Sequence, residues 1–145
     1  LAYCAHAGVG VIPWSPLGGG LLTGKIRRGA DAPAGSRAAA AAASRERFGS
    51  EKNLAIAETL GSVAATLGKS SSQVALAWAA GQPGVTAPIF GARTLEQLED
   101  NLGAADLSLP DEARKRLDEV SALELVYPYD FHARVRGMMA ALQLA

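Results

Sequence analysis

The sequence predicts an α/β fold with parallel strands, and three observations carry that reading. Two short apolar runs, 9–14 (VGVIPW) and 85–90 (VTAPIF), are each followed by a glycine-marked turn. Stretches of helical periodicity lie between them and after the second. Parallel neighbours need a long crossover, usually helical, and this order supplies one. Two strands are not a credible core by themselves, so part of the sheet is expected to lie outside these residues.

Taken in order, LAYCAHA reads as the end of a helix stopped near Ala7-Gly8, and the chain starts at Leu1 rather than methionine, which points to a fragment. The run 9–14 follows, with Pro13 near its end, where a missing N–H is tolerated. WSPLGGGLLTG then forms a turn dense in glycine. Residues 27–49 are polar and rich in alanine and glycine, and the six alanines Ala38 to Ala43 are either a helical turn or low-complexity drift.

From Lys52 to Leu67, Ile56, Leu60, Val63 and Leu67 recur at i, i+4, i+7 and i+11, one face of an amphipathic helix ended by Gly68. The next helix starts at a capping box, Ser70 with Gln73, and closes at Pro83-Gly84. After the second apolar run comes GARTLEQLEDNLGA, a third helix with Thr94 and Gln97 as its capping box and Gly103 near its end. Leu95, Leu98 and Leu102 are expected to line its core-facing side. A fourth helix takes Ser108 as cap and Pro110 in its first turn. The last 24 residues, 122–145, form a tail in which Met138, Met139 and Leu142 are expected to pack as a stripe on a final helix.

Composition narrows the function. Fourteen basic residues balance fourteen acidic ones, so no net field draws the chain to nucleic acid or an anionic membrane. With one cysteine, Cys4, no internal disulfide is possible, and His6 and His132 offer no metal-ligand spacing. No run approaches the roughly 20 apolar residues of a membrane helix. A cytoplasmic, metal-free protein is expected.

The two turns carry the chemistry, because ligands of parallel α/β proteins bind beyond the carboxyl ends of the strands. Gly91-Ala92-Arg93-Thr94 sets free backbone N–H groups and an arginine at a helix start, a ready anion site. Arg93, Gln97 and Asn101 share one side of the following helix, with Asp100 beside them. A guanidinium suits phosphate, and amides suit a purine edge or a ribose. The same residues would also serve as an ordinary solvated helix face. Trp14-Ser15-Pro16-Leu17, followed by Gly18-Gly19-Gly20, offers an aromatic face, a hydroxyl and bare backbone at the first turn.

In this combination the chain resembles the aldo-keto reductases. GVGVIPWSPLGGGLLTGK is similar to that family's seventh barrel strand and its loop, and the stretch from SSSQVALAW to LDEVS is similar to its C-terminal segment with the eighth strand and the cofactor-clamping helix. The resemblance implies the C-terminal fragment of a (β/α)8 TIM barrel, with 1–121 as barrel segment and 122–145 as tail. It further implies an NADPH-dependent oxidoreductase that reduces small carbonyl substrates by hydride transfer.

By the same resemblance Trp14 lies against the nicotinamide. Ser15, Pro16, Leu17, Gly18 and Gly19 run along its ribose and the pyrophosphate, and Lys25 closes over the latter. Arg37 is a further phosphate or ribose contact. Gly91 and Arg93 hold the adenosine end, where the arginine favours a 2′-phosphate, and Gln97, Asp100 and Asn101 face ribose and adenine. The three glycines then let a dinucleotide lie against the backbone.

The family's catalytic aspartate, tyrosine, lysine and histidine have no matching motif here, so the isolated chain is expected to be inactive, and the missing strands leave it prone to aggregate or poorly ordered. Two other readings stand beside the reductase. One is a non-catalytic nucleotide-binding or regulatory module that completes its barrel with a complementary N-terminal half-barrel chain, and the other is an inactive remnant.

Overall fold

The computed structural model describes residues 1–29 and 50–141. Arg37, the alanine run and Leu142 lie outside the described residues. The elements are α1 (Ala2–His6), a kinked 3-10 turn (Gly18–Thr23), α2 (Glu51–Leu67), α3 (Ser71–Ala80), α4 (Leu95–Leu102), α5 (Asp111–Ser121) and α6 (Tyr129–Ala141).

Helix α2 begins where Ser50, in extended conformation, accepts from the Asn53 N–H at 3.2 Å, and it ends at Gly68 in the left-handed region. Both signals are ordinary helix punctuation. Its apolar stripe buries Leu60, Val63 and Ala64. These meet Val74, Ala75 and Ala77 of α3 and Ala113 and Leu117 of α5, with Leu109 beneath, to form the core. Each large aliphatic so buried contributes about 1.5–3 kcal/mol over the exposed state. A polar joint locks the layer, since the Trp78 indole N–H donates to Asp118 Oδ1 at 2.7 Å. On the surface, Arg28 pairs with Glu51 and Glu58, which raise its pKa.

Four expectations are corrected. Neither apolar run forms a continuous strand among the described residues. They pair in parallel through two isolated bridges, Val11 with Val85 and Trp14 with Ile89. Val11 O accepts from the Thr86 N–H at 2.7 Å, and Pro13 O accepts from the Ile89 N–H at 2.9 Å. Each run contains a proline, Pro13 or Pro88, which cannot donate to a ladder. The parallel sense itself agrees with the expectation.

Ser108 does not cap α5. Pro110 occupies that position with φ −57° and ψ 148°, and the first turn is favoured instead by Asp111 and Glu112 near the positive end of the helix dipole. Helix α4 turns its leucines away from the core, with Leu95 69% and Leu102 53% exposed while Asn101 is only 5% exposed. Its polar side faces inward because that side meets the start of α3. In the tail, Met138 and Met139 are exposed along with Phe131 and Val135. Among the described residues, α6 makes no substantial contact with another helix that could cover such a stripe.

Candidate functional site

The carboxyl ends of the two paired runs open onto a cleft of about 900 Å³. Three pieces of chain wall it: the turn after Trp14, the start of α3, and the 89–94 turn with the inner face of α4.

The first wall is built by backbone conformation. Ser15 takes φ +52°, an uncommon value for a residue with a side chain, and Gly18, Gly19 and Gly20 follow at +56°, +64° and +108°. A row of positive φ is what glycine adopts without steric cost. The run therefore has a conformational reason independent of any ligand, and Gly18 does not line the cleft. The turn is closed by the Gly18 N–H donating to Ser15 O at 2.9 Å and the Thr23 hydroxyl donating to Gly20 O at 2.7 Å. Leu21, buried beneath, and Leu22, packed on the core, hold it down. Trp14 stands 74% exposed at the mouth, and Lys25, also exposed, follows the left-handed Gly24.

The second wall is the start of α4. Thr94 is extended, and its hydroxyl accepts from the Gln97 N–H at 3.2 Å. The expected capping box is only half formed. Gln97 Oε1 accepts from the Arg93 N–H at 3.1 Å, one residue earlier than the box requires, and this bond fixes the bend that brings Arg93 to the rim. Across the cleft, Ser70 donates to Asp100 Oδ2 at 2.9 Å and ties α4 to α3.

Of the residues singled out in the sequence, Trp14, Ser15, Pro16, Leu17, Gly19, Lys25, Gly91, Arg93, Gln97, Asp100 and Asn101 line this one cleft. Gly20, the third glycine of the turn, lines it too, as do Thr23, Ser70, Ser72, Phe90 and Glu96, which the sequence did not single out as site residues. Glu96 was open to detection, being one turn from both Arg93 and Asp100. Ser70 was hidden by its other role as a helix cap.

Chemically, the cleft joins an exposed indole, two cations at separate points of the rim, backbone at a helix start and two carboxylates near the α4 end. His6 and His132 are exposed and do not line it. The described residues hold no cluster of metal-ligating side chains, and no described helix is long and apolar enough to cross a membrane.

Residues 1–122 match the aldo/keto reductase family, a span that includes every described wall of the cleft. The chain belongs to this family. It is 40% identical over 113 residues to an uncharacterized oxidoreductase, YrpG, of Bacillus subtilis, covering 78% of this chain and 32% of that protein. It is 32% identical over 119 residues to the aldo-keto reductase AMT2 of Alternaria alternata, covering 82% of this chain and 31% of that protein. A probable voltage-gated potassium channel subunit beta of Arabidopsis thaliana is 35% identical over 112 residues, covering 72% of this chain and 32% of that protein. The chain thus spans about a third of the length of these relatives.

Proposed function

We propose that these residues are the cofactor-holding C-terminal part of a (β/α)8 aldo-keto reductase barrel, which binds NADPH in the cleft for carbonyl reduction. The observation that carries the reading is the convergence of Trp14, Lys25 and Arg93 with the Gly91-Ala92 backbone and the Gln97, Asp100 and Asn101 side chains on one cleft. An extended dinucleotide needs a planar surface at one end, positive charge at its phosphates and polar acceptors at its base. This donor set fits that need.

When bound, NADPH supplies a hydride to the carbonyl carbon of a small substrate. The residues here bind and orient. Trp14, exposed at the mouth, would stack its ring on a planar group. Lys25 neutralises phosphate as a point charge, and Arg93 can donate two parallel hydrogen bonds to a terminal phosphate, so it favours NADPH over NADH. Asp100 and Asn101 supply acceptors and a donor to the base or ribose.

Tyr3, Tyr127 and Tyr129 are exposed and do not line the cleft, so the proton that completes an alcohol is assigned to a residue outside this chain. On this reading the protein acts in the cytoplasm and is completed by a complementary N-terminal half-barrel. The relative named as a channel subunit beta favours a second reading, in which the same nucleotide site serves regulation rather than turnover.

The test is titration of the 145-residue chain with NADPH, following tryptophan emission, with circular dichroism on the same sample. Saturable quenching that disappears in Trp14→Phe is expected, and a folded chain whose emission NADPH leaves unchanged would refute the reading.

A further inference from the structure

Ser70 stands where the two helices that wall the cleft meet. A serine hydroxyl has one proton to donate and two lone pairs to accept with. One lone pair takes the Gln73 N–H at 3.1 Å, and Gln73 Oε1 in turn accepts from the Ser70 N–H at 3.2 Å, completing the capping box of α3. The proton is committed elsewhere, to Asp100 Oδ2 at 2.9 Å. Asp100 Oδ1 has no protein partner among the described residues.

A second contact close by fixes the same geometry. An added Cβ on Gly103 would stand 2.4 Å from Gln73 Nε2, so the end of α4 lies against the start of α3 and a side chain there would displace the Gln73 amide. Asp100 and Gly103 are three residues apart, one helical turn. Two anchors on one turn fix the rotation of α4 about its own axis. That rotation turns Gln97, Asp100 and Asn101 to the cleft and leaves the leucines outside.

We propose that Ser70 is a positioning residue for the ligand. Its hydroxyl holds the Asp100 carboxylate by one oxygen and leaves the other as an acceptor for a hydrogen-bond donor of the cofactor, either the purine amine or a ribose hydroxyl. The inference rests on the reading of the cleft as a dinucleotide site.

The test separates this role from capping. Glycine caps a helix nearly as well as serine but carries no hydroxyl, so Ser70→Gly removes the hold on Asp100 and keeps the start of α3. Ser70→Thr keeps both. NADPH affinity is measured on the 145-residue chain for these variants, alone and combined with Asp100→Ala, with circular dichroism on each.

Ser70→Gly is expected to weaken NADPH roughly five- to tenfold, the scale of one hydrogen bond, with Ser70→Thr close to the parent chain and no further loss from Ser70→Gly once Asp100 is alanine. Titration with the hypoxanthine analogue of NADPH identifies the donor, because the Ser70 effect vanishes there if the purine amine is the partner and persists if a ribose hydroxyl is. A Ser70→Gly loss of equal size with and without Asp100, or no loss at all, overturns the inference alone. A folded parent chain that does not bind NADPH overturns the cofactor reading and this inference with it.

Discussion

The orientation of α4 can be tested by stability. If its leucines faced a core, Leu95→Ala would cost about 2–5 kcal/mol, as large-to-small changes in cores do. In the structure Leu95 is 69% exposed, so less than a third of its surface leaves water on folding. Scaling the roughly 1.5–3 kcal/mol of a fully buried leucine by that fraction leaves about 0.5–1 kcal/mol for Leu95→Ala. Leu60, 3% exposed between α2 and its neighbours, supplies the internal reference, and Leu60→Ala should cost the full ~2–5 kcal/mol. Urea unfolding followed by circular dichroism at the helical band measures both on the same chain. Equal losses for the two variants would show that α4 is rotated the other way and would remove the account of how Asp100 reaches the cleft.

Three further outcomes are expected. Arg93→Ala should weaken NADPH by about 10- to 100-fold, the range of a charged hydrogen bond, and NADH far less; titration with both cofactors checks it, and equal losses would remove the 2′-phosphate assignment. Gly10→Ala should destabilise by about 1–3 kcal/mol. The reason is that its Cβ would stand 2.4 Å from Thr86 Oγ1, so Thr86→Ala in the same chain should restore the thermal midpoint. Removing residues 129–145 should change the unfolding free energy by no more than about 0.5 kcal/mol, since Phe131, Val135, Met138 and Met139 are exposed. A larger drop in the urea midpoint would mean that α6 packs on the core.

Local rules made much of this fold readable in advance. The Ser70–Gln73 box, the left-handed Gly68 and the stripe Leu60–Val63 each depend on residues within one or two turns, and sequence spacing states such relations directly. The strands were less readable because Pro13 and Pro88 limit how many bonds each run can exchange, a matter of pairing rather than propensity. The inner face of α4 was misjudged for a different reason. Its leucine stripe is its most apolar side, but the rotation is decided by Ser70 reaching Asp100 and by Gly103 lying against Gln73. Those contacts join different helices, and no periodicity within α4 encodes them. Most of the cleft residues were still identified, because turns at strand ends and a helix start can be located from glycine, proline and capping residues alone.

The pairing of Val11 with Val85 has a consequence for the order in which the molecule assembles. Helices α2 and α3 are separated by only a short link and find each other through local contacts, which form fast. The turn after Trp14 and the 89–94 turn come together only when segments that far apart in the chain pair, and the entropy of that closure must be met before its few bonds repay it. The cleft is therefore the last part of this structure to form during refolding. In a stopped-flow experiment helical signal should return ahead of NADPH-dependent quenching, and simultaneous recovery would mean that the 11–14 and 85–89 segments meet as early as the helices do.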